Sequence, residues 1–204
     1  MKKILAALFI VTALCSSAIA AEPLNAQERC IKQILEQNVS YSTRGFFNAI
    51  QDGNTELVKL FLKSGMSPNS TYFKVPAIYM AIYSHQNEVV ELLLENGVKP
   101  NGEFTTGETP LLVAIKKKDP VIVNTLIKYG ADVNMPGTNG NLYPLNYAIK
   151  KNNAAIVTSL IEAGAVTNED ALLKALRSKD NNIKNLVLRK KKKTKKKKKK
   201  KKKK

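Results

Sequence analysis

Several residue types in this chain return in register about every 33 positions, and that spacing constrains the fold more than any other feature. Alanines stand at Ala49, Ala81, Ala114 and Ala148, glycines at Gly65, Gly97, Gly130 and Gly164, and asparagines at Asn69, Asn101, Asn134 and Asn168. Two apolar columns, Val58, Val90, Val123, Val157 and Leu62, Leu94, Ile127, Ile161, keep the same steps of 32, 33 and 34. One column could arise by chance; columns of unlike residues holding one register mark an array of equal structural units.

Each unit reads as two short helices. In "TPLLVAIKKKDPVIVNTLIKYGADVN", Thr109 can cap a first helix and Pro110 fits its first position, where a missing N–H costs nothing. Asp119-Pro120 restarts the chain in the same way, and Asn54-Thr55, Asn87-Glu88 and Asn152-Asn153 occupy the corresponding place in the other copies. The glycine column supplies a left-handed stop to the second helix. A helix pair of this size cannot hide its apolar stripe alone, so like pairs must stack and bury it on both sides. A clipped fifth copy, "ALLKALRSKDNNIKNLVL", carries Ala175 in the alanine column and reads as a terminal cap. The expected fold is all-α: a helical-hairpin solenoid of about four full repeats plus a degenerate C-terminal one, over residues 46–188. Residues 21–45 hold one more amphipathic helix, centred on "LNAQERCIKQILEQNV", that covers the first repeat.

The third copy resembles the ankyrin repeat, whose family phrase T-P-L-H-x-A is followed by a second helix and G-A-D-V-N. The resemblance runs from Phe46 to about Leu188. Thr-Pro occurs only at Thr109-Pro110, with Tyr143-Pro144 a near match, and the family histidine is replaced by Phe47, Tyr79, Leu112 and Asn146. The resemblance implies an ankyrin-type solenoid that binds a protein partner without catalysis. Partners of such stacks meet the loop tips and the exposed ends of the first helices. Here those ends are Gln51-Asp52, Tyr83-Ser84, Lys116-Lys117, Lys150-Lys151 and Arg177-Ser178, a ladder that turns basic from the third repeat onward. A basic groove suits an acidic protein surface. Aromatic residues in the loops make good anchors: Tyr72 and Phe73 in "NSTYFKV" and Phe104 in "NGEFTTGE" rank above Tyr143. The expected contact set is therefore Tyr72, Phe73, Tyr83, Phe104, Lys116, Lys117, Lys150, Lys151 and Arg177, on a monomer.

Two terminal segments distort the composition. "MKKILAALFIVTALCSSAIAAE" has a basic start at Lys2 and Lys3, an apolar stretch from Ile4 to Cys15, and Ala18 and Ala20 before a cut near Ala20. That is the layout of a secretory signal peptide over residues 1–20, too short to span a bilayer. The style is bacterial, so the destination expected is periplasmic or secreted. At the other end, Arg189, Lys190 to Lys193 and Lys195 to Lys204 carry +15 of a net charge of +18, which leaves residues 4–188 at +1. Such a run repels itself and is expected to stay disordered over 189–204. It suits electrostatic adhesion to an anionic membrane surface or another polyanion; a frameshift into an A-rich stretch or an added tag would leave the same residues. Nucleic acid is not the expected partner, since no aromatics are interleaved for base stacking.

Chemistry is sparse. Beyond the leader only Cys30 remains, so no internal disulfide can form. Cys30 is expected to be buried on one helical face with Ile31, Ile34 and Leu35. The single histidine, His85, falls in the turn between the helices of the second repeat with no Cys, Asp or Glu cluster at ligand spacing. No nucleophile elbow, phosphate loop or zinc-protease signature is present. No catalytic residue, metal or cofactor is assigned. Two roles fit one exported binding module: support of an oxidative-stress enzyme, as exported bacterial ankyrin proteins like this one are thought to give, or neutralisation of a toxin as an immunity factor. Adhesion through the basic tail is a third.

Overall fold

The computed structural model describes residues 24–102, 107–137 and 142–201, the last nine of these by backbone alone. The chain forms two compact units, meeting in sequence between Asn96 and Gly97. The leader falls outside the described residues.

The first unit opens with α1 (Ala26–Glu36), capped by a reciprocal box in which Asn25 accepts from the Glu28 amide and Glu28 accepts from the Asn25 amide. Two hairpins follow, α2 (Thr43–Gln51) with α3 (Thr55–Lys63) and α4 (Ala77–Tyr83) with α5 (Asn87–Glu95). The first helices α2 and α4 pack on each other, the second helices α3 and α5 do likewise, and α1 packs on α3. Its anchors are Ile31 and Ile34, whereas Cys30 is only half-buried. The expectation of a buried thiol is thus corrected: the face of α1 that packs on α3 buries Ile31 and Ile34 and leaves Cys30 at its margin. Gln27 Nε2 and Tyr41 Oη donate at 2.6 and 2.8 Å to the carbonyl of Ser64, at the end of α3.

The second unit holds three hairpins: α6 (Pro110–Lys117) with α7 (Pro120–Lys128), α8 (Pro144–Lys150) with α9 (Ala154–Glu162), and α10 (Glu169–Arg177) with α11 (Asn181–Lys201). Here α6, α8 and α10 pack in sequence, as do α7, α9 and α11. The last helix runs through Lys201, so residues 189–201 are helical where the charge run was expected to be disordered. Lysine is a good helix former and is favoured near a helix C-terminus. Lys190 Nζ also donates at 2.9 Å to the carbonyl of Ile161 near the end of α9.

The columns acquire physical meaning. Ala49, Ala81, Ala114, Ala148 and Ala175 are buried where hairpins touch, and Val58, Val90, Val123 and Val157 are wholly buried. Each such valine is worth roughly 1.5–3 kcal/mol of transfer free energy. The glycines that end the second helices have φ between 87° and 98°. At Gly130 the amide of Ala131 reaches back to the Leu126 carbonyl at 2.9 Å, a Schellman closure. The asparagines join neighbours: Asn101 Oδ1 accepts from the Asp132 amide at 2.7 Å and its Nδ2 donates to the Gly130 carbonyl at 3.2 Å, while Asn134 Oδ1 accepts from the Val166 amide at 2.7 Å.

A further column was not legible as such. The residues between the paired helices, Gly53, His85, Lys118 and Asn152, are all left-handed, with φ of 70°, 58°, 59° and 54°. That conformation lets the next amide bond back to the alanine-column carbonyl, as Asp119 does to Ala114 at 3.1 Å. The caps that follow are Asn54, Gln86, Asp119 and Asn153. In the second repeat the cap is therefore Gln86 rather than Asn87, and Gln86 makes no side-chain cap. Its longer side chain reaches across to donate to the Gln51 carbonyl at 3.0 Å.

Among the described residues the departure from an all-α fold is a two-residue ribbon, β1 (Thr71–Tyr72) antiparallel to β2 (Val75–Pro76). Phe73 and Lys74 form its turn, both left-handed at φ 48° and 64°. Consecutive left-handed residues are what a tight two-residue hairpin requires.

Candidate functional site

In the first unit the aromatic side chains form a chain from core to surface. The Tyr41 ring stacks on Phe61 at 5.8 Å, Phe61 meets Phe46 at 5.6 Å, and Phe46 meets Phe47 edge-on at 5.9 Å. Phe47 then touches Tyr72 at 5.5 Å, and Tyr72 meets Phe73 at 4.5 Å. Phe46, Phe47 and Phe61 are buried, Tyr72 is half-buried, and Phe73 is 84% exposed. Tyr72, expected in the contact set, packs its ring against both Phe47 and Phe73 and keeps part of its surface in solvent. Phe73 is the ring offered to solvent, on a backbone conformation costing about 1–2 kcal/mol for a residue with a Cβ. Tyr83, the last residue of α4, is half-buried. Phe104 lies outside the described residues.

In the second unit the ends of the first helices gather the cations. The asparagine bonds tie together the loops that lead into α6, α8 and α10, so these helices start at one edge and finish at the opposite one. At the finishing edge Ser178 Oγ and Asn152 Oδ1 are 2.8 Å apart, joining the turns after α10 and α8. Lys116, Lys150 and Arg177 are exposed there, and Lys117 and Lys151 are half-buried. Lys118 and Lys179, both exposed, extend the set.

These cations first serve the fold. A lysine in the last turn of a helix complements the helix dipole by about 0.3–1 kcal/mol. Lys116 Nζ lies 3.3 Å from Glu108 Oε1, and Lys151 Nζ stands 5.2 Å from the centre of the Tyr147 ring. The other acids nearby are spoken for: Asp119 accepts from the Val121 and Ile122 amides at 3.1 Å, and Asp180 from the Asn182 amide at 2.8 Å. Among the described residues Lys116, Lys117, Lys118, Lys150, Lys151, Arg177 and Lys179 stand along this edge beside Glu108, Asp119 and Asp180, which gives it a positive balance. The equivalent positions of the first unit, Gln51, Asp52, Tyr83 and Ser84, carry no cation.

Among the described residues no group of three His, Cys, Asp or Glu side chains is placed to hold a metal, and no helix is long and apolar enough to cross a membrane. His85 is exposed, and its place is set by the left-handed turn between α4 and α5. A hollow beside α2 gathers Arg44, Asn48, Asp52 and Asn54, with no nucleophile and base in contact.

A family model described as ankyrin repeats (three copies) matches residues 17–104, 46–136 and 98–185. Among 342 solved chains that match is the crystal structure of the ankyrin repeat domain of Bcl-3, described as a unique member of the IkappaB protein family. It is similar at a TM-score of 0.61 and 21% identity over 70% of this chain and 66% of that one, a likeness that speaks to fold alone. No curated protein matches.

Proposed function

Since the chain belongs to the ankyrin-repeat family, whose repeats are protein–protein interaction modules, we propose that it is a non-catalytic binding module whose partner presents an acidic surface. The observation that carries this reading is the cationic edge of the second unit, where α6, α8 and α10 end on Lys116, Lys117, Lys150, Lys151 and Arg177. Exposed charge of this kind steers association and sets partner choice more than it supplies affinity. The exposed ring of Phe73 is a candidate apolar anchor of the first unit.

The compartment proposed is the bacterial periplasm or the exterior, a reading that rests on Lys2, Lys3, the apolar run Ile4 to Cys15 and the small residues Ala18 and Ala20. Within it, the role proposed is support of an oxidative-stress enzyme; neutralisation of a toxin as an immunity factor is the alternative, and a partner captured from the native envelope discriminates between them. The test of the binding surface is the joint change of Lys116, Lys117, Lys150 and Lys151 to Glu. Capture of an acidic partner from the envelope fraction falls and loses its salt dependence, while circular dichroism stays unchanged. Undiminished capture by the folded variant overturns the assignment of this edge.

A second reading has its own observation: α11 carries the lysine run on a helix docked to α9 through Lys190. A cationic rod of this kind suits an anionic membrane surface or another polyanion. Salt-sensitive binding to anionic vesicles that disappears on removal of residues 189–204 supports it; binding that survives the removal ends it.

A further inference from the structure

Among the described residues no hairpin packs on the far side of α10, and the columns that one would cover are open. In α8, which α10 covers, Leu145, Asn146 and Ile149 are 2%, 2% and 3% exposed. The same columns in α10 hold Leu172, Leu173 and Leu176, of which Leu173 is 53% and Leu176 49% exposed. A terminal repeat that ended the array for solubility alone would carry polar residues there. Leu173 and Leu176, three residues apart, instead make an apolar stripe on one face of a helix.

The surroundings of that stripe say what covers it. Arg177 follows Leu173 by four residues and shares its face. On α11, which packs against α10, Lys184, Leu188 and Lys191 repeat at the spacing of one helical face, and the lysine run continues beyond them. Against these cations stands Glu169, at the start of α10; Asp170 is engaged by Lys174 and by Asn146 Nδ2. An apolar stripe flanked mainly by cations fits a helix whose apolar face is flanked by carboxylates. A second copy of this chain fits poorly, because end-to-end pairing would bring together two ends that each carry the +15 run.

We propose that the open face of α10, through Leu173 and Leu176, receives an acidic amphipathic helix of a partner protein, seated where the first helix of a next repeat would pack. The proposal rests on the reading of the chain as a protein-binding module and adds to it a second contact, which meets the cationic edge at Arg177. The helix-in-groove mode would place the partner's anchors at i, i+3 and i+7.

The experiment uses the full chain and two synthetic peptides of identical composition, followed by fluorescence anisotropy at physiological salt. In one, leucines at i, i+3 and i+7 form a stripe flanked by glutamates; in the other the order is scrambled, so that charge alone attracts it to the lysine run. The striped peptide binds about tenfold more tightly than the scrambled one. That preference disappears in the Leu173→Ser/Leu176→Ser variant, whose thermal unfolding is unchanged because both side chains are half exposed. The milder Leu173→Ala/Leu176→Ala pair gives the same loss if the serine variant proves unstable. Equal binding of the two peptides, or a preference that survives both variants, overturns the proposal. So does a concentration-dependent dimer in sedimentation that these variants abolish, which would assign the face to a second copy. The Lys116, Lys117, Lys150 and Lys151 charge reversal leaves the peptide preference intact, so failure of the cationic edge and failure of this face are read separately.

Discussion

Asn146 offers the most exacting test of the packing argument. It stands in the column that Phe47, Tyr79 and Leu112 fill in the other repeats, and it is 2% exposed. Its Nδ2 donates to Asp170 Oδ2 at 2.7 Å, but its Oδ1, also buried, has no partner among the described residues. An unsatisfied buried carbonyl costs about 1–3 kcal/mol. Asn146→Leu removes that cost and places there the side chain that Leu112 buries completely one repeat earlier. Against the gain stands the lost bond to Asp170, whose own side chain is exposed and keeps Lys174 as a partner. A hydrogen bond to an exposed carboxylate is worth about 1 kcal/mol or less once solvent replaces it. The net expectation is a stabilisation of about 1–2 kcal/mol, read as a higher urea midpoint at unchanged slope and a melting temperature raised by about 2–8 °C. A loss of 1 kcal/mol or more with the fold intact refutes the reasoning, because Oδ1 would then have to be satisfied within the native state.

Further outcomes follow from the same physics. Phe61→Ala, at the junction of the Tyr41 and Phe46 rings, destabilises the first unit by about 3–5 kcal/mol in urea unfolding. Lys118→Gly, at φ 59° between α6 and α7, stabilises by about 0.5–1 kcal/mol, because glycine takes that backbone without strain; no gain in the melt argues against strain there. Gly130→Ala costs about 1–2 kcal/mol for the same reason in reverse, since nothing lies within 4 Å of the added Cβ and only the φ of 87° opposes it. The Lys59 ammonium, hydrogen-bonded to Glu56 at 2.7 Å and attracting its charge, holds the Glu56 carboxyl below its ordinary value. A lowered folded value means that this contribution is present above the unfolded value and is lost as pH falls through the folded one. Lys59→Met returns the Glu56 titration toward the ordinary glutamate range in a carbon-detected NMR series, and an unmoved titration excludes Lys59 as the cause.

Much of the fold was legible because its hairpin contacts reuse the same residue types. Close helix approach requires alanine, the left-handed helix stop favours glycine, and the bond from one loop to the next needs an asparagine side chain, so each requirement wrote a visible column. The turn between the helices has an equally strict requirement, yet Gly53, His85, Lys118 and Asn152 meet it with four different residues. Left-handed geometry costs a residue with a Cβ only about 1–2 kcal/mol, which a stacked hairpin absorbs, so no single type is enforced and the column stays hidden. The misplaced cap at Gln86 has the same origin: the backbone already fixes the start of α5, and the side chain is left to bond the preceding repeat.

The surface was legible in charge and less so in shape. Lysines at helix ends read directly from the sequence because position along the chain fixes which edge they occupy. Whether an aromatic in a loop is an anchor or a prop depends on what lies beneath it, and Phe47, in a position the family phrase gives to histidine, is what turns Tyr72 inward and leaves Phe73 outward. The leucines of α10 show the converse. As members of the repeat they look like core residues, and they are exposed because no hairpin packs on them among the described residues. The pattern that identifies a buried face in one repeat therefore coincides with an exposed face in α10, because an apolar column is buried by its neighbour rather than by its own hairpin.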